Sequence, residues 1–167
     1  MSWYMYGLIA FSALSLPASA QQSIPVSATV TETCVISAGA LNFGAYDPTG
    51  KNNRVRAQSV LQVKCTNGGA SKRIALGEGK TPSSGSTCAA PLRQMVSPTG
   101  DVLAYQIYVN AAETVPWGHC VNNSMVLIPP STSSLVPQDV PVFGAIPANQ
   151  DARKGNYTDT LNVRISF

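Results

Sequence analysis

The chain has 167 residues, of which 11 are Lys or Arg, 8 are Asp or Glu and one is His. Charged residues make up only 11%, against roughly 25% in an average soluble domain, while the apolar share of 44% is ordinary. Gly and Pro (13 and 12) follow no period, and with a net charge of +3 no basic run exceeds Lys72-Arg73 or Arg153-Lys154. Collagen, coiled coil, a charged disordered tail and a polybasic nucleic-acid arm are excluded.

In chain order, residues 1–20 read as a signal peptide. Leu8 to Leu16 is an apolar stretch of the right length, and Ala18-Ser19-Ala20 is an A-x-A cleavage signal. The departure is the n-region, Met1 to Gly7, which carries no Lys or Arg. A transmembrane anchor needs about 20 apolar residues, and Pro17 with Gln21-Gln22-Ser23 cuts this stretch short. The expectation is an exported, soluble mature chain from Gln21, 147 of the 167 residues, with no integral membrane segment after signal removal.

Next, Ile24, Val26, Ala28 and Val30 alternate with Pro25, Ser27, Thr29 and Thr31, ahead of a Cys34-Val35-Ile36 strand. Leu61, Val63 and Cys65 alternate with Val60, Gln62 and Lys64, and Leu103, Tyr105, Ile107 and Val109 alternate with Ala104, Gln106 and Tyr108. Met125 to Ile128 is a short buried run ended by Pro129-Pro130. Val140 to Ile146 is another, with Pro141 pointing to an edge position. Long loops are expected over 66–72, 77–89 and 129–138. The closing run is the longest period-2 pattern: Tyr157, Asp159, Leu161, Val163, Ile165 and Phe167 on one face, and Thr158, Thr160, Asn162, Arg164 and Ser166 on the other. No window carries a capped 3.6-residue period. Many short strands without helices mean an all-β, antiparallel sandwich or barrel.

The two terminal stripes are the oddity. An apolar face on the last strand wants a further strand to cover it, and no later residues supply one. An N-terminal tail with an apolar stripe is either tied down or used. It could form the first strand of its own sandwich. It could instead fill the groove of another copy, where main-chain hydrogen bonds give affinity and alternating pockets give register.

All four cysteines, Cys34, Cys65, Cys88 and Cys120, follow the signal segment, and an even count in an exported protein reads as two disulfides. A zinc site wants a short C-x-x-C ligand pair, whereas these gaps are 31, 23 and 32 residues. Three pairings are possible and sequence does not choose among them. Cys34–Cys65 with Cys88–Cys120 is favoured because each joins neighbouring segments.

Four blocks carry a resemblance. Leu41-Asn42-Phe43-Gly44-Ala45-Tyr46-Asp47-Pro48 follows the first cysteine strand. Leu103 to Tyr108 with Trp117-Gly118 forms a paired-tyrosine strand and a WG turn. Val142 to Pro147 and Gly155 to Phe167 close the chain. Together, in this order, they resemble the spore coat protein U domain family, whose members include pilin-type subunits of Csu-like archaic chaperone–usher pili. The resemblance implies an immunoglobulin-like pilin sandwich lacking its last strand, completed by donor-strand exchange. The chain then divides into a signal peptide (1–20), a donor strand (21–31) and an incomplete pilin domain (32–167). Ile24, Val26, Ala28 and Val30 match the donor positions. Leu161, Val163, Ile165 and Phe167 match the strand bordering the acceptor groove, and Cys34 with Cys65 matches the family's common disulfide. Two departures stand out: Ala28 is small for a groove-filling position, and Pro25 removes a backbone donor. The partners implied are a periplasmic chaperone, an outer-membrane usher and other pilin subunits, on a route through the periplasm to a cell-surface pilus serving adhesion and biofilm formation.

Enzymatic readings fare badly, and neither a cofactor nor a metal is expected. Gly79-Lys80-Thr81 ends like a P-loop, but Ile74 stands where the first glycine would be. His119 is the only histidine, and its neighbour Cys120 would point to the opposite face of a strand. The carboxylates are singly dispersed. Asp159 is expected to be hydrogen-bonded near the start of its strand. The sequons Asn122-Asn123-Ser124 and Asn156-Tyr157-Thr158 are short patterns that match often by chance. The expected function is a structural pilin subunit. The alternatives are a fibre-tip adhesin, which would be expected to carry a further receptor-binding domain, or a stand-alone secreted coat-like protein that uses its own N-terminal strand.

Overall fold

A computed structural model describes residues 22–50, 54–120, 125–130 and 132–166. The signal-peptide reading, the Asn122-Asn123-Ser124 sequon and Phe167 lie outside the described residues. The chain divides into two units, Met1–Val30 and Thr31–Phe167. In the first, residues 22–30 form neither helix nor strand, and Ile24, Val26 and Val30 are 85%, 92% and 82% exposed.

The second unit is all-β. Among the described residues its strands are β1 (Cys34–Ala38), β2 (Val55–Cys65), β3 (Lys72–Leu76), β4 (Arg93–Val96), β5 (Val102–Tyr108), β6 (Val126–Ile128), β7 (Gln138–Ile146) and β8 (Val163–Ser166). They pair antiparallel in two sheets, ordered β1-β2-β7-β5-β4 and β6-β3-β8. Consecutive strands are mostly not neighbours, so the chain crosses between sheets, as in immunoglobulin-like sandwiches.

Period-2 patterning explains the core. Leu61, Val63 and Cys65 of β2 are buried, while Val60, Gln62 and Lys64 point out. Leu103, Tyr105 and Ile107 of β5 do the same, and β7 adds Val140, Val142 and Ile146. The opposing sheet supplies Ile74, Leu76 and Ile128. Each buried aliphatic contributes roughly 1.5–3 kcal/mol relative to exposure. Trp117, fully buried, fills the space between these elements, and its indole N–H donates to the Ile74 carbonyl at 2.9 Å.

Two strands escape the apolar pattern. β3 opens on Lys72-Arg73 and β4 on Arg93, residues that read as solvated, yet Lys72 and Arg93 are each 1% exposed. The expected loops over 66–72 and 77–89 are present, apart from Lys72. Pro141 corrects one expectation. Its strand β7 is interior, between β2 and β5, but β5 pairs only with Phe143–Ala145. Pro141 is thus paired on one side alone, with Val60 of β2, and its missing N–H removes no bond from the β5 ladder.

The closing run also differs from a single long strand. Alternation holds throughout: Tyr157, Asp159, Leu161, Val163 and Ile165 are half-buried, and the residues between them are exposed. Only Val163–Ser166 is a strand, however. Thr158 makes an isolated bridge to Val96, and Asp159 turns its carboxylate to other partners, so the segment before Val163 leaves the ladder.

The disulfides are Cys34–Cys65, across the β1–β2 ladder, and Cys88–Cys120, across two loops. This is the favoured pairing.

Candidate functional site

The two sheets do not close on each other at one side. β1 is an edge of the five-stranded sheet, and β8 is an edge of the three-stranded one. Between the chain from Ala38 to Phe43 and the chain from Tyr157 to Val163 lies an open groove of about 380 Å³. Its apolar floor includes Leu61, Leu76, Ile107 and Val142. Exposure marks the opening: Ala38 and Gly39 are exposed and Leu161 and Val163 only half-buried, whereas Leu61 and Val63 on the floor strand are 4% and 0% exposed.

The near wall is set by a glycine. A Cβ at Gly144 would sit 2.7 Å from Leu41 Cδ2 and 2.9 Å from Phe43 Cζ, so glycine lets these side chains lie close on β7 where a larger residue would push them aside. Phe43 then meets Tyr105 edge-on, with ring centroids 5.9 Å apart.

The far wall is held by polar bonds to Asp159. Tyr105 Oη donates to Asp159 Oδ2 at 2.6 Å, and Asp159 Oδ1 accepts from the backbone N–H groups of Lys80 (2.8 Å) and Thr160 (2.7 Å). Burial, and then the hydrogen bond to Asp159, push the Tyr105 hydroxyl well above the ordinary tyrosine range. The phenol therefore stays protonated and keeps donating.

Behind this wall, Arg93 ties the sheets together. Its guanidinium donates to the carbonyls of Leu76 (3.0 Å), Gly77 (2.7 Å) and Trp117 (2.5 Å) and to Gln106 Oε1 (2.6 Å). Burial lowers its pKa to about 10, so it remains charged at neutral pH. Arg93 on β4 is thus the fastener for the end of β3, a role that only a planar fork with five donors fills.

Of the residues expected to border an acceptor groove, Leu161 and Val163 line it. Ile165 packs against the core beyond its end, and Phe167 lies outside the described residues. Reading the sequence missed Arg93 altogether, because nothing in the local run Leu92-Arg93-Gln94 signals a buried arginine. It caught Asp159 through its place on the apolar face.

The alternative chemistries find little support in the geometry. His119 Nε2 lies 3.7 Å from Glu78 Oε1 at the surface, and its N–H donates nothing to a thiol, since Cys120 is in a disulfide. Among the described residues no three His, Cys, Asp or Glu side chains converge as metal ligands, and no helix is long and apolar enough to cross a membrane.

The fold and groove define a class: an immunoglobulin-like antiparallel β-sandwich of the pilin type with an open side. The chain belongs to the Spore Coat Protein U domain family, whose pattern matches residues 20–164. It is 34% identical over 169 residues to Protein U of Myxococcus xanthus, covering 96% of this chain and 91% of that protein. It is also similar, with a TM-score of 0.58 and 24% identity, to a chain in the crystal structure of the CsuC–CsuE chaperone–tip adhesion subunit pre-assembly complex from the archaic chaperone–usher Csu pili of Acinetobacter baumannii. That match covers 83% of this chain and 40% of the other, which it therefore spans in part only.

Proposed function

We propose that this protein is a structural subunit of a chaperone–usher surface fibre that serves adhesion and biofilm formation. It polymerises by laying the stripe Ile24, Val26, Ala28 and Val30 into the groove of another copy. In the periplasm a chaperone covers the groove first, and an outer-membrane usher then exchanges the chaperone's strand for the incoming one. The exported fibre ends on the cell surface.

The open, apolar groove between the edges β1 and β8 carries this reading. Its dimensions suit the stripe. Ile24 to Val30 is six residue steps, roughly 20 Å when extended, and the Tyr157–Val163 wall is also six steps long. Burying Ile24, Val26 and Val30 contributes roughly 1.5–3 kcal/mol each, before the cost of ordering the strand. Ala28 adds less. Removing a whole strand at once is slow, so the assembled fibre persists kinetically.

The test is a gel of surface material loaded without boiling. A ladder of multimers that collapses on heating is expected. A monomer that is stable alone at every concentration, with no chaperone present, refutes the reading.

A further inference from the structure

The polar contacts around Thr31–Cys34 are more numerous than an exposed linker needs. Residues 31–33 continue the line of β1 past the Cys34–Cys65 pair. Thr33 N donates to Thr66 Oγ1 at 3.0 Å, and Thr66 N donates to Thr33 O at 2.9 Å. The Thr66 hydroxyl lies 3.3 Å from both the Thr31 and the Thr33 carbonyl oxygens and donates to one at a time. Between them, the Glu32 carboxylate is ion-paired with Lys72 Nζ, the ammonium of a lysine only 1% exposed, which also donates to the Ala70 carbonyl. A Cβ on Gly69 would land on that carboxylate, so glycine makes room for the pair.

These contacts decide how far the apolar stripe can reach. To enter the groove of its own chain, the stripe must fold back along the free edge of β1 as a hairpin. Paired residue numbers in such a hairpin have a constant sum. Cys34, Ile36 and Ala38 lie on the core side of β1, opposite buried Cys65, Val63 and Leu61, whereas Val35 is 66% exposed, so a stripe that enters the groove must pair with the even-numbered residues. With residues 31–33 held, the tightest such reversal uses 28–30 as a three-residue turn, which sets Ser27 opposite Thr31 and Ile24 opposite Cys34. The groove begins at Ala38, four residues further on, roughly 13 Å beyond the end of the stripe. With residues 31–33 free, the turn moves to 31–33. Val30 then faces Cys34, Ala28 faces Ile36 and Val26 faces Ala38, at the groove.

We propose that the Thr66 and Lys72 contacts to residues 31–33 form a clamp that holds the apolar stripe out of reach of its own groove, so that the groove is left for a second copy of this chain. The inference rests on the stripe being the donor, and it adds what prevents the chain from completing itself. A tether this short would otherwise win, because it presents the stripe at an effective concentration in the mM range.

The experiment compares three proteins refolded by dilution with a labelled synthetic peptide spanning residues 22–31, at about 10 μM. They are the unaltered chain, the E32Q/T66V double variant that opens the clamp, and a variant with about eight Gly/Ser residues inserted between Val30 and Thr31. The insert leaves the clamp intact but restores reach, about three residues returning along 31–33 and the rest making the turn. The unaltered chain is expected to capture the peptide and to form multimers without it. Both variants are expected to capture at least about tenfold less peptide and to run as monomers, since the tethered stripe outcompetes the free one. If the double variant does not fold with its disulfides intact, the insertion variant decides. Variants that fold, capture peptide and multimerise as the unaltered chain does overturn the clamp alone. An unaltered chain that captures no peptide overturns the donor reading, and the clamp with it.

Discussion

Tyr105 shapes the groove and carries a titratable proton, so replacing it by Phe tests the far wall. The substitution removes one hydroxyl from a residue 6% exposed and deletes the 2.6 Å bond to Asp159 while leaving the ring against Phe43. A hydrogen bond to a charged partner contributes about 1.5–3 kcal/mol. Asp159 keeps two backbone donors, Lys80 and Thr160, so the lower part of that range applies, about 1.5–2 kcal/mol at pH 7. The sign of the pH effect follows from the raised pKa. Above about pH 10 the unfolded tyrosine loses its proton while folded Tyr105 keeps it, so the folded state binds more protons and stability falls as pH rises. This group alone gives a slope of about 1.4 kcal/mol per pH unit. Y105F lacks that component, so its deficit relative to the unaltered protein narrows above pH 10. Urea unfolding at pH 7 and between pH 9 and 11 measures both effects, and a cycle with D159N isolates their coupling. A loss below about 0.5 kcal/mol at pH 7, or an unchanged difference between the two proteins across the alkaline range, refutes the argument.

Other outcomes follow from the same contacts. Arg93→Met leaves the carbonyls of Leu76, Gly77 and Trp117 without their cation, and a loss of about 3–5 kcal/mol in urea unfolding is expected, against less than about 0.5 for exposed Lys64→Met. Replacing Cys34 and Cys65 together by Ser opens a 31-residue loop and costs about 3–4 kcal/mol on the chain-entropy model, read as a lowered melting temperature. Val163→Asp sets a carboxylate in the groove, and capture of a peptide carrying residues 22–31 should drop by about 100-fold with both disulfides still formed. Capture at the unaltered level would place the strand site elsewhere.

Much of the sandwich is legible in the sequence because its strands are half-covered, and half-covered strands alternate. Leu61-Val63-Cys65, Leu103-Tyr105-Ile107 and the 157–165 stripe all carry that signal. β3 and β4 do not, because each begins with a cation whose burial depends on partners distant in sequence: Glu32 for Lys72, and the carbonyls around Trp117 for Arg93. The groove is half legible. The period sets Leu161 and Val163 on one apolar face and the family resemblance assigns that face to the groove border, but the opposite wall depends on Gly144 accepting Leu41 and Phe43, a contact about one hundred residues away in sequence that no local pattern announces. The low charge content has a physical counterpart here as well. The apolar stripe at 24–30 and the groove each leave apolar surface that nothing in the Thr31–Phe167 core requires to be exposed.

The most direct measurement marks one strand and asks where it goes. A photo-crosslinking amino acid at position 26 is placed in isotopically light chains, which are co-refolded with heavy chains and irradiated, and the products are mapped by mass spectrometry. Crosslinks joining position 26 of a light chain to groove residues 38–43 or 157–163 of a heavy chain are the expected result. Crosslinks confined to a single chain, or falling outside the groove, would contradict strand exchange between copies.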